Sequence, residues 1–268
     1  MTEQEPLQTW QAVEEIRKLA PIVHNITNYV VMNTTANALL ALGASPVMAH
    51  AEEEAADMAG IASALVLNIG TLSRDWIKAM HKAAGRAAER GIPIVLDPVG
   101  AGATAFRTET ARDLAQTFRP AIIRGNASEI MALCGERTKT RGVDSSEASG
   151  DALDAARSLH ETWGSAVCVS GATDYVVGGR ELYQVGNGHP MMTRVTGLGC
   201  TATALCGAFA AVGRDHARAA AQAMVVMGIA GEMAAEGAEG PGSLQVRFLD
   251  ALYRMTREDI GRRIRMGA

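Results

Sequence analysis

The sequence predicts an α/β fold: a mostly parallel central sheet, helices on both of its faces, and a helical C-terminal part. Three observations carry this reading. Short β-rich runs alternate with longer helix-like stretches through the first two thirds of the chain, separated by Gly and Pro. Ile94-Val95-Leu96 and Val167-Cys168-Val169 are apolar without alternation, the pattern of strands covered on both faces. From Gly199 onward only helical patterning remains. With 268 residues, 48% of them apolar, the chain is long enough to bury a substantial core. An aromatic content of 4% favours helix packing on small residues over an all-β sandwich. No repeat, low-complexity tract or linker divides the chain, so residues 1–268 read as a single domain.

In chain order, strands are expected at Pro21–Ile26, Ser45–Ala49, Ala64–Gly70, Ile92–Pro98, Ala121–Gly125 and Ser165–Gly171. Helices are expected between them at Tyr29–Leu42, Ser73–Arg90, Thr108–Phe118 and Asp151–Trp163. Glu52-Glu53-Glu54 reads as a helix N-terminus, where acidic side chains meet the positive end of the dipole. Glu136–Gly150 is polar and reads as a surface loop. Tyr175–Val177 and Glu181–Val185 flank Gly178-Gly179-Arg180 and read as an antiparallel hairpin at one sheet edge. The tail reads as helices over Thr201–Val212, Ala217–Ala235 and Ser243–Arg265.

Lys and Arg number 25 against 29 Asp and Glu, a formal charge of −4, which argues against a nucleic-acid binder. The opening Met-Thr-Glu-Gln-Glu-Pro has neither the basic nor the apolar region of a signal peptide. Val195–Gly213 carries no charge, but it is built of Gly, Ala, Thr and Cys and reads as a buried helix rather than a membrane span. Cys134, Cys168, Cys200 and Cys206 show no CxxC and no zinc-type spacing with His, so they read as reduced thiols. The expectation is a cytoplasmic protein without membrane or nucleic-acid partners.

Open α/β sheets bind ligands at the C-terminal ends of their strands. Four such ends carry chemistry here: His24-Asn25-Ile26-Thr27-Asn28, Asp97-Pro98-Val99-Gly100-Ala101-Gly102, Arg124-Gly125-Asn126-Ala127-Ser128-Glu129, and Ser170-Gly171. Parallel strands project all four to one edge. A fifth element, Thr196-Gly197-Leu198-Gly199-Cys200, opens a small-residue helix whose free N–H groups suit an oxyanion or phosphate. Gly197-x-Gly199-x-x-Ala202 also matches a dinucleotide fingerprint, but no strand follows the helix, so a nicotinamide site is excluded. Cys200 has two readings: a small buried hydrophobe, or a thiol whose pKa the helix dipole lowers. Its position favours the second.

These segments, with Pro46-Val47-Met48, resemble the hydroxyethylthiazole kinase family of the ribokinase-like superfamily, in the family's order and over about residues 20 to 200. The resemblance implies ATP-dependent phosphorylation of a thiazole alcohol in thiamine salvage, with Mg²⁺ as cofactor. It implies Cys200 as the catalytic residue, Met48, Gly197 and Asn25 at the substrate, and Arg124 and Ser170 at ATP. Gly197, Leu198, Gly199 and Cys200 would form the anion hole, and Asp97 and Glu129 would hold the metal, partly through water. It further implies a homotrimer with active sites between subunits. Leu198 stands where the family pattern carries Thr, which keeps the backbone donors and removes a hydroxyl. A hydroxymethylpyrimidine kinase and a nucleotide-dependent repair dehydratase are alternatives on the same fold, but both carry Asp where this chain has Cys200. A non-catalytic binding module would have no need of Asp97, Arg124, Glu129 and Cys200 together.

Overall fold

Successive side chains of the central strands enter opposite cores, which is why their sequences do not alternate. In the computed structural model, which describes residues 4–135, 145–179 and 181–267, Val95 enters one core while Ile94 and Leu96 enter the other. Val66 and Cys168 follow Val95; Leu65, Leu67, Val167 and Val169 follow Leu96. Both faces are therefore covered, as the apolar runs require.

The strands are β1 (Ile22–Ile26), β2 (Ser45–Val47), β3 (Ala64–Asn68), β4 (Ile94–Asp97), β5 (Ile122–Asn126), β6 (Ala166–Ser170), β7 (Asp174–Gly178), β8 (Glu181–Val185) and β9 (Met266–Gly267). They form one sheet in the order β2-β1-β3-β4-β5-β6-β7-β8-β9. The first six are parallel and the last three run antiparallel. The helices are α1 (Gln4–Leu19), α2 (Met32–Leu42), α3 (Ala55–Ile61), α4 (Arg74–Arg90), α5 (Ala105–Phe118), α6 (Ala127–Cys134), α7 (Ser145–Trp163), α8 (Leu198–Val212), α9 (His216–Ala235), α10 (Pro241–Arg254) and α11 (Arg257–Arg263). Helices α3 to α7 cover one face; α8 and α9 lie on the other, enclosed by α1, α2 and α10.

Each predicted strand is present within a few residues of its expected limits, and the hairpin is β7–β8, with Arg180 outside the described residues. Three expectations change. Ser145–Gly150 opens α7 rather than a loop, while 136–144 lie outside the described residues; Ser and Glu suit a first helical turn as well as a loop. The segment expected as one helix to Arg265 breaks at Met255, where Thr256 and Asp259 form a capping box that starts α11. Helix α8 begins at Leu198, three residues earlier than the side-chain pattern suggests. Helices α1 and α6 were not anticipated. The run Glu52–Glu54 does precede α3, with Glu54 at its N-cap. No described helix is long and apolar enough to cross a membrane.

Small residues set the distance between α8 and the sheet. A Cβ on Gly207 would lie 2.7 Å from Val66 Cγ2 and 3.2 Å from Val23 Cγ1. Gly207→Ala should therefore push α8 off β1 and β3 and cost about 1–3 kcal/mol, as overpacked cores do. Urea denaturation should show a lower midpoint at unchanged slope.

Candidate active site

Sheet register builds the site. Asn68 ends β3 and pairs with Asp97 at the end of β4, so the two side chains stand next to each other. Alternation turns both, with Arg124 of β5, toward the face that α8 covers. The first turn of α8 then closes over them.

Asp97 is 1% exposed. Its Oδ2 accepts from Asn68 Nδ2 and from Thr203 Oγ1, both at 2.7 Å. Burial pushes its pKa up to about 6; Arg124 opposes that rise and the Glu129 charge adds to it. Asn68 Oδ1 accepts from Asn28 Nδ2 at 2.9 Å, and the same Nδ2 donates to Cys200 Sγ at 3.4 Å. On the other side, Arg124 donates to the Gly199 carbonyl at 3.0 Å, and its Nε is buried without a protein partner. Burial works against the Arg124 charge, but Asp97 leads the groups that outweigh it and hold its pKa above the ordinary value.

Gly197 caps α8 with φ +84°, and a Cβ there would lie 2.6 Å from Val31 Cγ1, so only glycine fits. The first helical bond is Thr201 N–H to the Gly197 carbonyl at 2.9 Å. The N–H groups of Leu198, Gly199 and Cys200 precede it and are the unused donors of the helix start. The thiol does not behave as the dipole argument expects. Burial and the Asp97 charge raise the Cys200 pKa, outweighing the hydrogen bonds from Asn68 and Asn28 and the Arg124 charge.

Glu129 is held by backbone donors. Its Oε1 accepts from Gly100 N–H at 2.8 Å and its Oε2 from Asn126 N–H at 2.9 Å, the latter closing the capping box that starts α6. Asp97 Oδ1 takes neither of the donors that Oδ2 takes. Two neighbouring carboxylates with spare lone pairs fit a hard divalent cation. Among the described residues no three His, Cys, Asp or Glu side chains converge, so the donor set suits a hydrated Mg²⁺ and not an all-protein cage.

A cavity of about 650 Å³ opens beside this turn, lined by Arg124, Ser170, Gly171, Asp174, Leu198 and Gly199 among others. That volume lies in the ~300–1,000 Å³ range of small-ligand sites. Ser170 Oγ donates to the Gly125 carbonyl at 3.2 Å, and Asp174 Oδ1 accepts from Gly171 N–H at 3.0 Å, which fixes the loop after β6. Cys200 and Met48 lie outside this cavity. Met48 is half-buried on the loop after β2, whose Ala49 carbonyl accepts from the fully buried His24 Nε2 at 2.7 Å. Asn25, expected at the substrate, is fully buried within β1, and its amide bonds the Val23 carbonyl. Its Oδ1 is buried with no hydrogen-bond partner among the described residues. Leu198 is 9% exposed and packs into the core on the α8 face.

Asn68, Thr203 and Asp174 join the site without having been singled out from the sequence, whereas Asn28 closes one of the strand ends that were. Asn68 ends a strand as Asp97 does, and that position was the available signal.

The hydroxyethylthiazole kinase family model matches residues 13–258. The chain is 66% identical over 264 residues to the hydroxyethylthiazole kinase of Syntrophus aciditrophicus (strain SB), covering 98% of each protein. The chain belongs to the hydroxyethylthiazole kinase family. A solved hydroxyethylthiazole kinase structure from Pyrococcus horikoshii OT3 is similar with a TM-score of 0.90 and 46% identity, over 97% of this chain and 98% of that one. A ribokinase-like superfamily protein from Enterococcus faecalis V583 shares the fold alone, with a TM-score of 0.60 at 15% identity over 86% of each chain. The ribokinase-like architecture is therefore shared well beyond the kinase family.

A carboxyl whose pKa rises on folding costs stability wherever it is ionised in the fold. For Asp97 that cost is absent below the ordinary 3.8, grows as pH rises, and is complete above about 6. Asp97→Asn should thus stabilise the ligand-free protein at pH 8, by up to about 3 kcal/mol. The gain should shrink toward zero near pH 4. Urea midpoints at the two pH values check this; an equal offset at both would contradict it.

Proposed function

We propose that residues 1–268 form one catalytic domain that transfers the γ-phosphoryl group of ATP to the primary alcohol of 4-methyl-5-(2-hydroxyethyl)thiazole, a step of thiamine salvage. One observation carries the reading. Unused helix donors, an anchored Arg124, the buried Asp97 and Cys200 all meet at the first turn of α8.

ATP occupies the cavity beside Ser170, with Arg124 on its phosphates as a charged planar donor. The N–H groups of Leu198, Gly199 and Cys200 receive the γ-phosphoryl oxygens, and Gly197 and Met48 contact the thiazole. Asp97 and Glu129 would hold Mg²⁺, partly through water. When bound, the ion neutralises charge on the phosphate oxygens. The alcohol oxygen bonds to the γ-phosphorus, the bond from that phosphorus to the β,γ-bridging oxygen breaks, and ADP leaves. Cys200 Sγ takes the alcohol proton. A loose transition state needs that transfer only late, so positioning and charge neutralisation supply most of the acceleration.

Tyr29, next to Asn28, is 65% exposed, and its neighbour Val30 is 63% exposed. Both facts support a homotrimer whose neighbouring subunit completes the site. The composition supports a cytoplasmic enzyme with neither membrane nor nucleic acid as partner.

ADP release should require Mg²⁺ and hydroxyethylthiazole, and fall to background with hydroxymethylpyrimidine or no alcohol. Comparable turnover with the pyrimidine would overturn the substrate assignment. Arg124→Ala and Glu129→Gln should each lower kcat/KM by on the order of 10²-fold, the first through the ATP dependence and the second through the Mg²⁺ dependence.

A raised thiol pKa leaves little thiolate at neutral pH, so the native kcat should climb as pH rises from 7 to 9. Cys200→Ala should lose about 10²-fold or less and lose that climb. Cys200→Asp should be active with a flatter profile, because a carboxylate is already ionised at pH 7. Superimposable profiles for all three would reduce Cys200 to packing.

A further inference from the structure

Asn28 and Asn68 are 5% and 2% exposed, and no nucleotide or substrate role uses them. Their orientation is fixed by chemistry. Gly70 N–H can only donate, and it points at Asn68 at 3.0 Å, which identifies that atom as Oδ1. The other end of Asn68 is therefore Nδ2, and it donates to Asp97 at 2.7 Å. An Oδ1 facing Asn28 requires that Asn28 present its Nδ2, at 2.9 Å. Both hydrogens of that Nδ2 are then committed, one to Asn68 and one to Cys200 Sγ at 3.4 Å. Asn28 addresses the sulfur as an acceptor, so the S–H is turned away from that amide.

Close packing holds the bridge. A Cβ on Gly70 would lie 2.6 Å from Asn28 Nδ2 and 2.8 Å from Asn28 Cγ, so the strand end is bare where Asn28 rests. Arg107 clamps that same strand end, donating to the carbonyls of Ile69 at 3.0 Å, Gly70 at 2.6 Å and Val99 at 2.8 Å. The strand end carrying Asn68 and Gly70 is thereby tied to the loop that follows Asp97.

We propose that Asn28 and Asn68 are positioning residues of phosphoryl transfer, their amides forming a one-way hydrogen-bond bridge from Asp97 to Cys200 that turns the sulfur toward the alcohol. The bridge rests on the assignment of Cys200 as the proton acceptor. Through it Asp97, bonded also to Thr203 within α8, sets the place of the thiol from two directions.

A double-mutant cycle separates this from a merely structural role. Asn28→Leu keeps the shape of the side chain and removes both donors. It should lower kcat about tenfold at saturating Mg·ATP and alcohol, with the KM for ATP unchanged. In a Cys200→Ala background the same substitution should change kcat less than about twofold. Gly70→Ala, which displaces Asn28 through its new Cβ, should repeat the pattern and serves if Asn28→Leu does not fold. A tenfold loss that persists in Cys200→Ala, or one that appears in the KM for ATP, would overturn the bridge while leaving the base assignment standing. A Cys200→Ala variant with native kcat would overturn both.

Discussion

The structure depends on keeping one ionisable carboxyl, Asp97, at the end of β4 under the first turn of α8. It is 1% exposed, and burial lifts its pKa to about 6. Among the described residues no lysine or arginine bonds it directly; two neutral donors, Asn68 and Thr203, share its Oδ2. Charge that the fold compensates only in part is available to a cation, and this supports the proposal of a hydrated metal here. The cost of that arrangement is carried by the two large cores on either side of the sheet.

From that point the rest of the site follows by register. Asn68 stands next to Asp97 because β3 and β4 pair residue for residue. Thr203 reaches Asp97 because it lies one turn beyond Gly199, whose carbonyl takes Arg124. Helix α8 can come this close because Gly197, Gly199 and Gly207 leave room for Val31, Arg124 and Val66 respectively. The same small residues that pack α8 on the sheet also bare its first N–H groups.

Much of this was legible in the sequence. Apolar strands with polar ends pointed to the parallel sheet, and the Gly-Leu-Gly-Cys segment marked the start of α8, where the anion hole is proposed. What escaped has identifiable causes. Helix α1 carries its buried residues Thr9, Val13 and Ile16 on a mostly polar stretch, so its apolar face is thin. Helix α6 is short and opens inside the Arg124–Glu129 motif, where the capping box is read as chemistry first. Asn68 passed as an ordinary strand end, because its meaning lies in its neighbour across the sheet and not along the chain. The Cys200 thiol is a similar case: the helix start is local and visible, while its burial and the Asp97 charge beside it are tertiary facts.

The central claim is that the first turn of α8 is where phosphate and alcohol meet. A crystal structure with Mg²⁺, a non-hydrolysable ATP analogue and hydroxyethylthiazole tests it most directly. The account predicts the terminal phosphate on the N–H groups of Leu198 to Cys200 beside Arg124, and the alcohol oxygen within hydrogen-bond reach of Cys200 Sγ. A nucleotide seated away from Arg124, or an alcohol that approaches the phosphate without meeting Cys200, would contradict it.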